Sequence, residues 1–372
     1  MRLALAGGGT GGHVVPGLHL LEHLHARGSR PEDVLWFSAG RAVEERVLAH
    51  ASERAGAAPI ERIALALEAH GAPTWLDLAM RTGPETRRAR EALARHASEV
   101  LLALGGYTAL PAVLAARSLG IPVVLLEINS IAGKATRSLA GLAERVVYAW
   151  PGTLAREGPR QRCFGPPLSV AFLGREPGDA ESAAARSRLG FRPVCPLLLV
   201  LGGSQGAAPL NRFLAAHAPA LVEAGLQVLH QTGPGRLSEG AAGAFLGYRA
   251  SEYLDDVAGA LDASTLVLCR GGASTLAEVA ARARPALVVP YPHHRDQHQL
   301  RNALALGAGV RIVPEERLDA SLVATLARLA GRDGARERAA MSRALANSIP
   351  KDGVVRLADE LLLVAARFRT RA

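Results

Sequence analysis

The run Gly7-Gly8-Gly9-Thr10-Gly11-Gly12-His13 follows the apolar residues Leu3 to Ala6 and leads straight into a helix-like stretch. A strand, a bare-backbone turn and a helix N-terminus in that order expose amide N–H groups. The helix dipole behind them favours anionic or strongly polar groups such as a diphosphate or sugar hydroxyls. His13, at the end of the turn, carries the side-chain type best suited to proton transfer at neutral pH and is a candidate for moving a proton, against the plainer reading of a packed loop histidine. A second constellation is Glu127 with Asn129, an acid and an amide at the end of the apolar run Val123 to Leu126. A third is the segment 293–299, where His294 and His298 have the i, i+4 spacing of helical metal ligands.

Two common uses of a glycine turn are excluded by what surrounds it. Gly7-x-Gly9-x-x-Gly12 satisfies the dinucleotide pattern, yet the next apolar run, Val34 to Phe37, is followed by Ser38, Ala39, Gly40 and Arg41. No acid stands there to hold ribose hydroxyls, and Glu44 and Glu45 come too late. A nucleotide-triphosphate loop needs Lys followed by Ser or Thr where this chain has His13. Neither hydride transfer nor ATP hydrolysis is supported.

These residues need a scaffold, and the chain repeats one. Val100 to Leu104 runs into Gly105-Gly106 and a helix ending at Gly120; Leu197 to Leu201 runs into Gly202-Gly203-Ser204-Gln205-Gly206; Leu266 to Cys269 runs into Arg270-Gly271-Gly272-Ala273-Ser274-Thr275. With the first turn this makes four strand, glycine turn and helix units. Further strands are expected at Val34 to Phe37, Val123 to Leu126, Val146 to Ala149, Gln227 to His230 and Ala286 to Val289. Continuous apolar strands are buried on both faces, which requires parallel sheets covered by helices. The class is α/β. The stretch from Pro159 to Pro167 breaks the rhythm and is the linker candidate, with two glycine turns on each side. The expected architecture is two doubly wound, Rossmann-like domains facing across a cleft, with ligands at the carboxyl ends of the strands.

Composition agrees. At 372 residues and 49% hydrophobic content the chain can bury two cores. No apolar stretch approaches the ~20 residues of a membrane span, and no secretory leader precedes the first strand, so cytoplasmic residence is expected. Cys163, Cys195 and Cys269 lack CxxC spacing and indicate neither disulfides nor zinc. The net charge of +9 rests almost wholly on arginine, since Lys134 and Lys351 are the only lysines. Charge alone suits nucleic acid, an anionic membrane or a phosphorylated substrate. Without runs of like charge or an aromatic platform, nucleic acid is not expected.

In order along almost the whole chain stand Gly8 to His13 with Pro16-Gly17-Leu18, Gly105-Gly106-Tyr107, Ser118 to Val124, Ile131-Ala132-Gly133, Gly202 to Ala207, Leu254-Asp255-Asp256 and Asn302-Ala303. Together they resemble the MurG family of GT-B glycosyltransferases. That resemblance implies an inverting transfer of N-acetylglucosamine (GlcNAc) from UDP-GlcNAc to undecaprenyl-diphosphate-linked muramyl-pentapeptide (lipid I), forming lipid II at the cytoplasmic face of the cell membrane, with no cofactor. It implies an acceptor and membrane-side domain over 1–165, completed by a C-terminal helix at 350–372, and a UDP-GlcNAc domain over 166–349.

Residue by residue, the resemblance gives Glu278 the ribose hydroxyls, for which a carboxylate has paired acceptors. It gives Ala273, Ser274, Thr275, Leu276 and Ala277 the diphosphate and sugar, Ser204 the α-phosphate and Leu254 the uracil edge through its backbone. Gln299 and Asn302, three apart on one helix turn, would bind GlcNAc hydroxyls, so the histidines beside them are read as part of a sugar site rather than a metal site. Thr10, Gly11 and Gly12 would approach the donor sugar and the acceptor diphosphate. His13 and Glu127 are the candidate bases and Asn129 a donor-sugar contact. Ser and Thr at 274 and 275 could equally cap a helix, and Glu127 and Asn129 could hold a loop.

Three departures stand out. Leu126-Glu127-Ile128-Asn129 keeps the family's acid and amide but loses two polar neighbours, and Gly165-Pro166-Pro167-Leu168 is followed by Ser169, taken as a substrate contact, where an Arg phosphate contact is usual. The basic loop expected across Leu65 to Thr82 is apolar here and, with Arg81, Arg87, Arg88 and Arg90 beyond it, is a candidate lipid contact. A GT-B enzyme with another lipid or small-molecule acceptor and a non-catalytic nucleotide-sugar-binding protein are the alternatives.

Overall fold

The computed structural model describes the chain except residues 10, 42–43, 45–47, 49–59, 68–74, 155, 241–244, 294–295 and 371–372. The chain divides into two compact units, Met1–Leu173 with Pro350–Ala372, and Gly174–Ile349.

The first unit is built on seven parallel strands in the order β3-β2-β1-β4-β5-β6-β7. They are β1 (Arg2–Gly7), β2 (Asp33–Ser38), β3 (Ile60–Ala64), β4 (Val100–Gly105), β5 (Val123–Glu127), β6 (Arg145–Tyr148) and β7 (Gln161–Cys163). The central strands are the Leu- and Val-rich runs, and their side chains are buried on both faces. The edges differ. Strand β3 is half exposed and β7 polar, and each pairs on one side only.

Strand β7 lies inside the stretch read as a linker, and Pro166–Leu173 belongs to the first unit rather than the second. A short polar edge strand shows no apolar run, so its backbone pairing is invisible to hydropathy. Helix Gly353–Arg369 completes this unit against β4 and helix Gly11–Ala26. It buries Val354, Leu357, Leu361 and Val364 at helical spacing, and Arg27–Asp359 (2.7 Å) and Arg145–Glu360 (2.7 Å) pair across its margins.

The second unit holds six parallel strands in the order β10-β9-β8-β11-β12-β13. These are β8 (Leu197–Leu201), β9 (Gln227–Gln231), β10 (Tyr248–Ser251), β11 (Leu266–Cys269), β12 (Ala286–Val288) and β13 (Val310–Ile312). Its core is Leu198, Val200, Leu210, Phe213, Leu214, Leu268, Leu287 and Leu326 with their neighbours. Burying each such side chain contributes about 1.5–3 kcal/mol. In both sheets the chain leaves the first-formed strand in one direction and later returns on its other side. The β1/β4 and β8/β11 boundaries are therefore topological switch points, where the turns that follow the strands diverge.

Candidate functional site

In the second unit, the order β10-β9-β8-β11-β12 brings five turns to one carboxyl edge. Strand β11 ends at Cys269, and Gly272 caps helix Ala273–Ala281 in an extended conformation without a side-chain cap. The first-turn amides of Ala273, Ser274 and Thr275 therefore face outward with the helix dipole behind them. Ser274, Thr275 and Glu278 lie partly exposed, while Ala273 is buried.

Leu276 and Ala277, expected among the substrate contacts, offer no side chain to a ligand. Their side chains are in the core, and the Leu276 amide already donates to the Gly272 carbonyl at 2.9 Å. Leu276 and Ala277 face inward because the apolar positions of this helix follow the 3.6-residue period.

Glu278, one turn on from Ser274 and Thr275, is shifted by nothing but withdrawal from water, which pushes its carboxyl up to about 8. The same withdrawal, with Glu278 nearby, pushes the Cys269 thiol up to about 12 and keeps it unreactive. A desolvated carboxyl beside outward-facing amides suits a ligand that brings hydroxyls to the one and negative charge to the other.

Gln299 and Asn302, on helix His298–Ala305, brace this turn. Gln299 Oε1 accepts from Gly271 N (3.1 Å) and Tyr291 N (3.0 Å), and Asn302 Nδ2 donates to the Gly271 carbonyl (3.2 Å). The approach requires glycine at 271, since a Cβ there would lie 2.3 Å from the Gln299 carbonyl oxygen. Asn302 is buried, and the Nε2 of Gln299 is the donor left over for a ligand.

Sequence reasoning missed Arg270. Its guanidinium is buried, pairs with Glu315 at 2.7 Å and donates to the Val289 carbonyl at 3.1 Å, fixing the ends of β11 and β12 together. Its position directly before the glycine pair was the available signal. His298 Nε2 lies 3.4 Å from Asp296, and His294 falls outside the described residues.

Ser204 lies partly exposed in the turn after β8. Gly206 in that turn has φ +71°, and a Cβ on it would stand 2.1 Å from the Thr232 carbonyl oxygen of the next turn. Leu254 sits half-buried in the loop between β10 and helix Val257–Ala263.

The first unit gathers the other residues at the carboxyl edge of β1, β4 and β5. Gly11, Gly12 and His13 form the first turn of helix Gly11–Ala26; Thr10 lies outside the described residues. His13 Nδ1 donates to the Gly8 carbonyl at 3.1 Å, which makes Nε2 the basic nitrogen of the neutral ring. The ring packs on Gly105 and Gly106, where added Cβ atoms would meet it at 3.3–3.4 Å.

Glu44 was set aside as too late for a ribose contact, and the structure gives it another task. Wholly buried, its carboxylate accepts from the amides of Gly9, Ala39 (2.9 Å) and Gly40 (3.1 Å), and Arg41 donates to the Gly9 carbonyl at 2.9 Å. The amide of Gly9, expected to face a ligand, is thus taken by the protein's own carboxylate.

Glu127 ends β5 and is 4% exposed. Oε1 accepts from Asn129 N (3.0 Å) and Asn129 Nδ2 (3.1 Å), and Oε2 accepts from Gly133 N (2.7 Å) and Thr136 Oγ1 (2.6 Å). Four donors on two oxygens make it the organiser of the 127–136 loop rather than a base facing substrate. Ser169 likewise turns inward. Its hydroxyl donates to Glu22 (3.2 Å) and accepts from Ala171 N (3.3 Å), so it caps a short turn in the first unit instead of replacing the phosphate-binding Arg.

Within the apolar stretch, Leu65 and Leu67 are core residues, and Arg81 and Arg88 donate to the carbonyls of Ala66 and Ala64. That part of the expected lipid contact is corrected, because the segment continues from β3 under the sheet edge. Met80 is 61% exposed, and residues 68–74 lie outside the described ones. Among the described residues no helix is long and apolar enough to cross a membrane.

Comparison with known proteins matches one family domain to each half of the chain. Residues 3–148 match the glycosyltransferase family 28 N-terminal domain, and residues 197–357 match the glycosyltransferase family 28 C-terminal domain. A relative from Sorangium cellulosum is 38% identical, over 100% of this chain and 90% of its own length. One from Synechococcus sp. is 35% identical over 98% of this chain and 97% of its own. Both are named UDP-N-acetylglucosamine--N-acetylmuramyl-(pentapeptide) pyrophosphoryl-undecaprenol N-acetylglucosamine transferase. The crystal structure of Acinetobacter baumannii MurG shares the GT-B fold, with a TM-score of 0.70 and 24% identity over 97% of this chain and 99% of that one. On both matched domains and on this full-length identity, the chain belongs to glycosyltransferase family 28 and, within it, to the MurG family.

Proposed function

We infer that this protein is an N-acetylglucosaminyltransferase that moves GlcNAc from UDP-GlcNAc to lipid I, making lipid II for peptidoglycan. The observation that carries the reading is the pairing of full-length relatives, all named for that reaction, with a desolvated Glu278 carboxyl beside the open first turn of helix Ala273–Ala281. The ribose diol donates to Glu278, the diphosphate takes the Ser274 and Thr275 amides and hydroxyls with the Ser204 turn, and the uracil edge meets the Leu254 backbone. Gln299 offers Nε2 to a GlcNAc hydroxyl while Asn302 holds Gly271 in place.

The reaction is one inverting displacement. The muramyl 4-hydroxyl oxygen bonds to the anomeric carbon as the bond from that carbon to the UDP oxygen breaks. The hydroxyl proton passes to His13 Nε2, whose tautomer is set by the Gly8 carbonyl. Charge arriving on the diphosphate is met by amides already in place, and positioning both substrates supplies much of the remaining acceleration. Glu127 and Asn129 shape the 127–136 loop of the first unit, and Gly11 and Gly12 leave room for the acceptor diphosphate.

The acceptor's undecaprenyl chain stays in the bilayer, so the protein works peripherally at the cytoplasmic face of the membrane, with the first unit toward the lipid. Labelled UDP-GlcNAc and a short-chain lipid I analogue test the reading: UDP release with a β-1,4 disaccharide product is expected. UDP binding without turnover would leave a nucleotide-sugar-binding protein, and turnover only with another acceptor would move the enzyme to a different substrate.

A further inference from the structure

Beneath the Ser204 turn runs a chain of buried polar groups that the reaction itself does not use. Helix Ala208–Glu223 begins just after the turn and carries Asn211, which is fully buried. Asn211 Nδ2 donates to the Thr232 carbonyl at 3.0 Å, which fixes Oδ1 as the atom facing His230 Nε2 at 3.1 Å. Nε2 therefore carries the hydrogen, and Nδ1 is the lone pair that accepts from the Tyr248 hydroxyl at 3.0 Å. One neutral tautomer satisfies every bond. His230 is fully buried and Tyr248 nearly so; burial takes the imidazole down to about 4 and the phenol up to about 12, so neither group changes charge near neutral pH.

The Thr232 carbonyl at the end of this chain is the atom on which the neighbouring turn rests. A Cβ at Gly206 would lie 2.1 Å from it, and a Cβ at Gly233 would lie 2.4 Å from Gly206 Cα, so the two turns touch backbone to backbone. Thr232 also reaches the other side of the site. Its N–H donates to the Ser251 carbonyl at 2.9 Å and Gly233 N to the Glu252 carbonyl at 3.2 Å, at the start of the loop that carries Leu254.

We propose that His230 is a positioning residue for the nucleotide donor: through Asn211 and Tyr248 it locks the Thr232 carbonyl, and with it the Gly203–Gly206 turn and the Leu254 loop, in the geometry that receives the diphosphate. Shifting this carbonyl by a few tenths of an ångström shifts the turn above it, because no side chain separates them. The proposal rests on the reading of the Ser204 turn as the diphosphate site.

Kinetics and calorimetry on the full chain test it. His230→Phe keeps the ring volume and removes both bonds, and should raise the KM for UDP-GlcNAc roughly tenfold while kcat at saturating donor stays within about threefold. UDP affinity by calorimetry should fall in parallel, and uridine, tested by competition, should lose less than UDP. Tyr248→Phe removes one hydroxyl and should raise the donor KM by a smaller factor, about threefold. His230→Gln, whose amide can both donate and accept, should recover part of the loss.

A folded His230→Phe with unchanged donor KM and UDP affinity would overturn the proposal. So would a loss confined to kcat, or one equal for UDP and uridine. If His230→Phe does not fold, Tyr248→Phe decides: unchanged UDP affinity overturns the proposal and weakened affinity supports it. UDP calorimetry needs no turnover. A wild-type protein that binds UDP but transfers no sugar therefore removes the functional reading alone, while the His230 comparison still stands or falls by itself.

Discussion

The two units carry the same strand, glycine turn and helix, and they fill that turn in opposite ways. In the first, a wholly buried carboxylate from Glu44 enters the turn and takes the amides of Gly9, Ala39 and Gly40. In the second, no side chain caps helix Ala273–Ala281, and the nearby Glu278 carboxyl is held in a desolvated state that raises its pKa to about 8. A turn that supplies its own anion is a fixed platform, and what it fixes is His13. A turn whose first helix amides take no side-chain cap, beside a carboxyl pushed up by withdrawal from water, is suited to receive a ligand. Shared architecture therefore does not mean shared ligand chemistry, and the side chain that enters the turn decides which role it takes.

The contrast is easiest to break at His13. His13→Ala should lower kcat by roughly 10²–10⁴-fold, the usual contribution of a positioned acid or base, with little change in thermal midpoint. A loss below tenfold in the disaccharide assay would reduce His13 to a packing residue of the platform.

Glu44→Ala tests the platform itself. Three amides lose their acceptor, and unfolding of the first unit in urea should need about 3 kcal/mol less. UDP affinity should be unchanged, because the receptor lies in the other unit; a parallel loss of UDP binding would end the contrast.

Glu278 sharpens the other side. With a free carboxyl near 8, the group is mostly protonated at pH 6, whereas ribose hydroxyls donate best to the carboxylate. Binding should release a proton, and the UDP dissociation constant should fall by about tenfold as pH rises from 6 to 8, then level off. Glu278→Gln should flatten that profile and weaken UDP roughly tenfold at pH 8. The stability effect has the opposite sign. A folded-state pKa raised above the ordinary carboxyl value of 4.5 makes the protein bind more protons folded than unfolded, so this group costs stability as pH climbs from 4.5 through 8. The Gln variant should therefore melt higher than wild type at pH 8 while binding UDP less well. The smallest expected effect is that of Ser204→Ala, about a threefold rise in donor KM, since the turn's amides remain.

What the sequence made legible follows from what each element is made of. Strands such as β4 and β8 are continuous Leu and Val runs that have no stable place except a two-sided core, and the glycines after them mark the turns. The edge strands β3, β7, β10 and β13 escaped because backbone pairing, not apolar content, holds them.

Site residues divide by the same logic. His13, Ser204, Ser274, Thr275 and Glu278 sit in or just after their own turns, so local order places them. Glu44 on Gly9, Gln299 on Gly271, and Ser169 on Glu22 are contacts between segments remote in sequence, and nothing in the local residues tells which way each side chain points. Glu127 was legible as an acid at a strand end. Its four donors come from a loop that folds back within nine residues, which alternation and hydropathy do not encode.

Helix Gly353–Arg369 has a consequence for how the protein is made. The second unit is one uninterrupted segment, Gly174–Ile349, whereas the first needs a helix that follows it in the chain to cover β4 and helix Gly11–Ala26. On the ribosome the later-synthesised second unit can finish folding first, while the earlier one waits with an apolar groove uncovered until Val354, Leu357 and Leu361 arrive. Chaperone dependence during synthesis should accordingly centre on the amino-terminal half, and cutting the chain after Ile349 should spare the carboxyl unit while leaving its neighbour prone to aggregate.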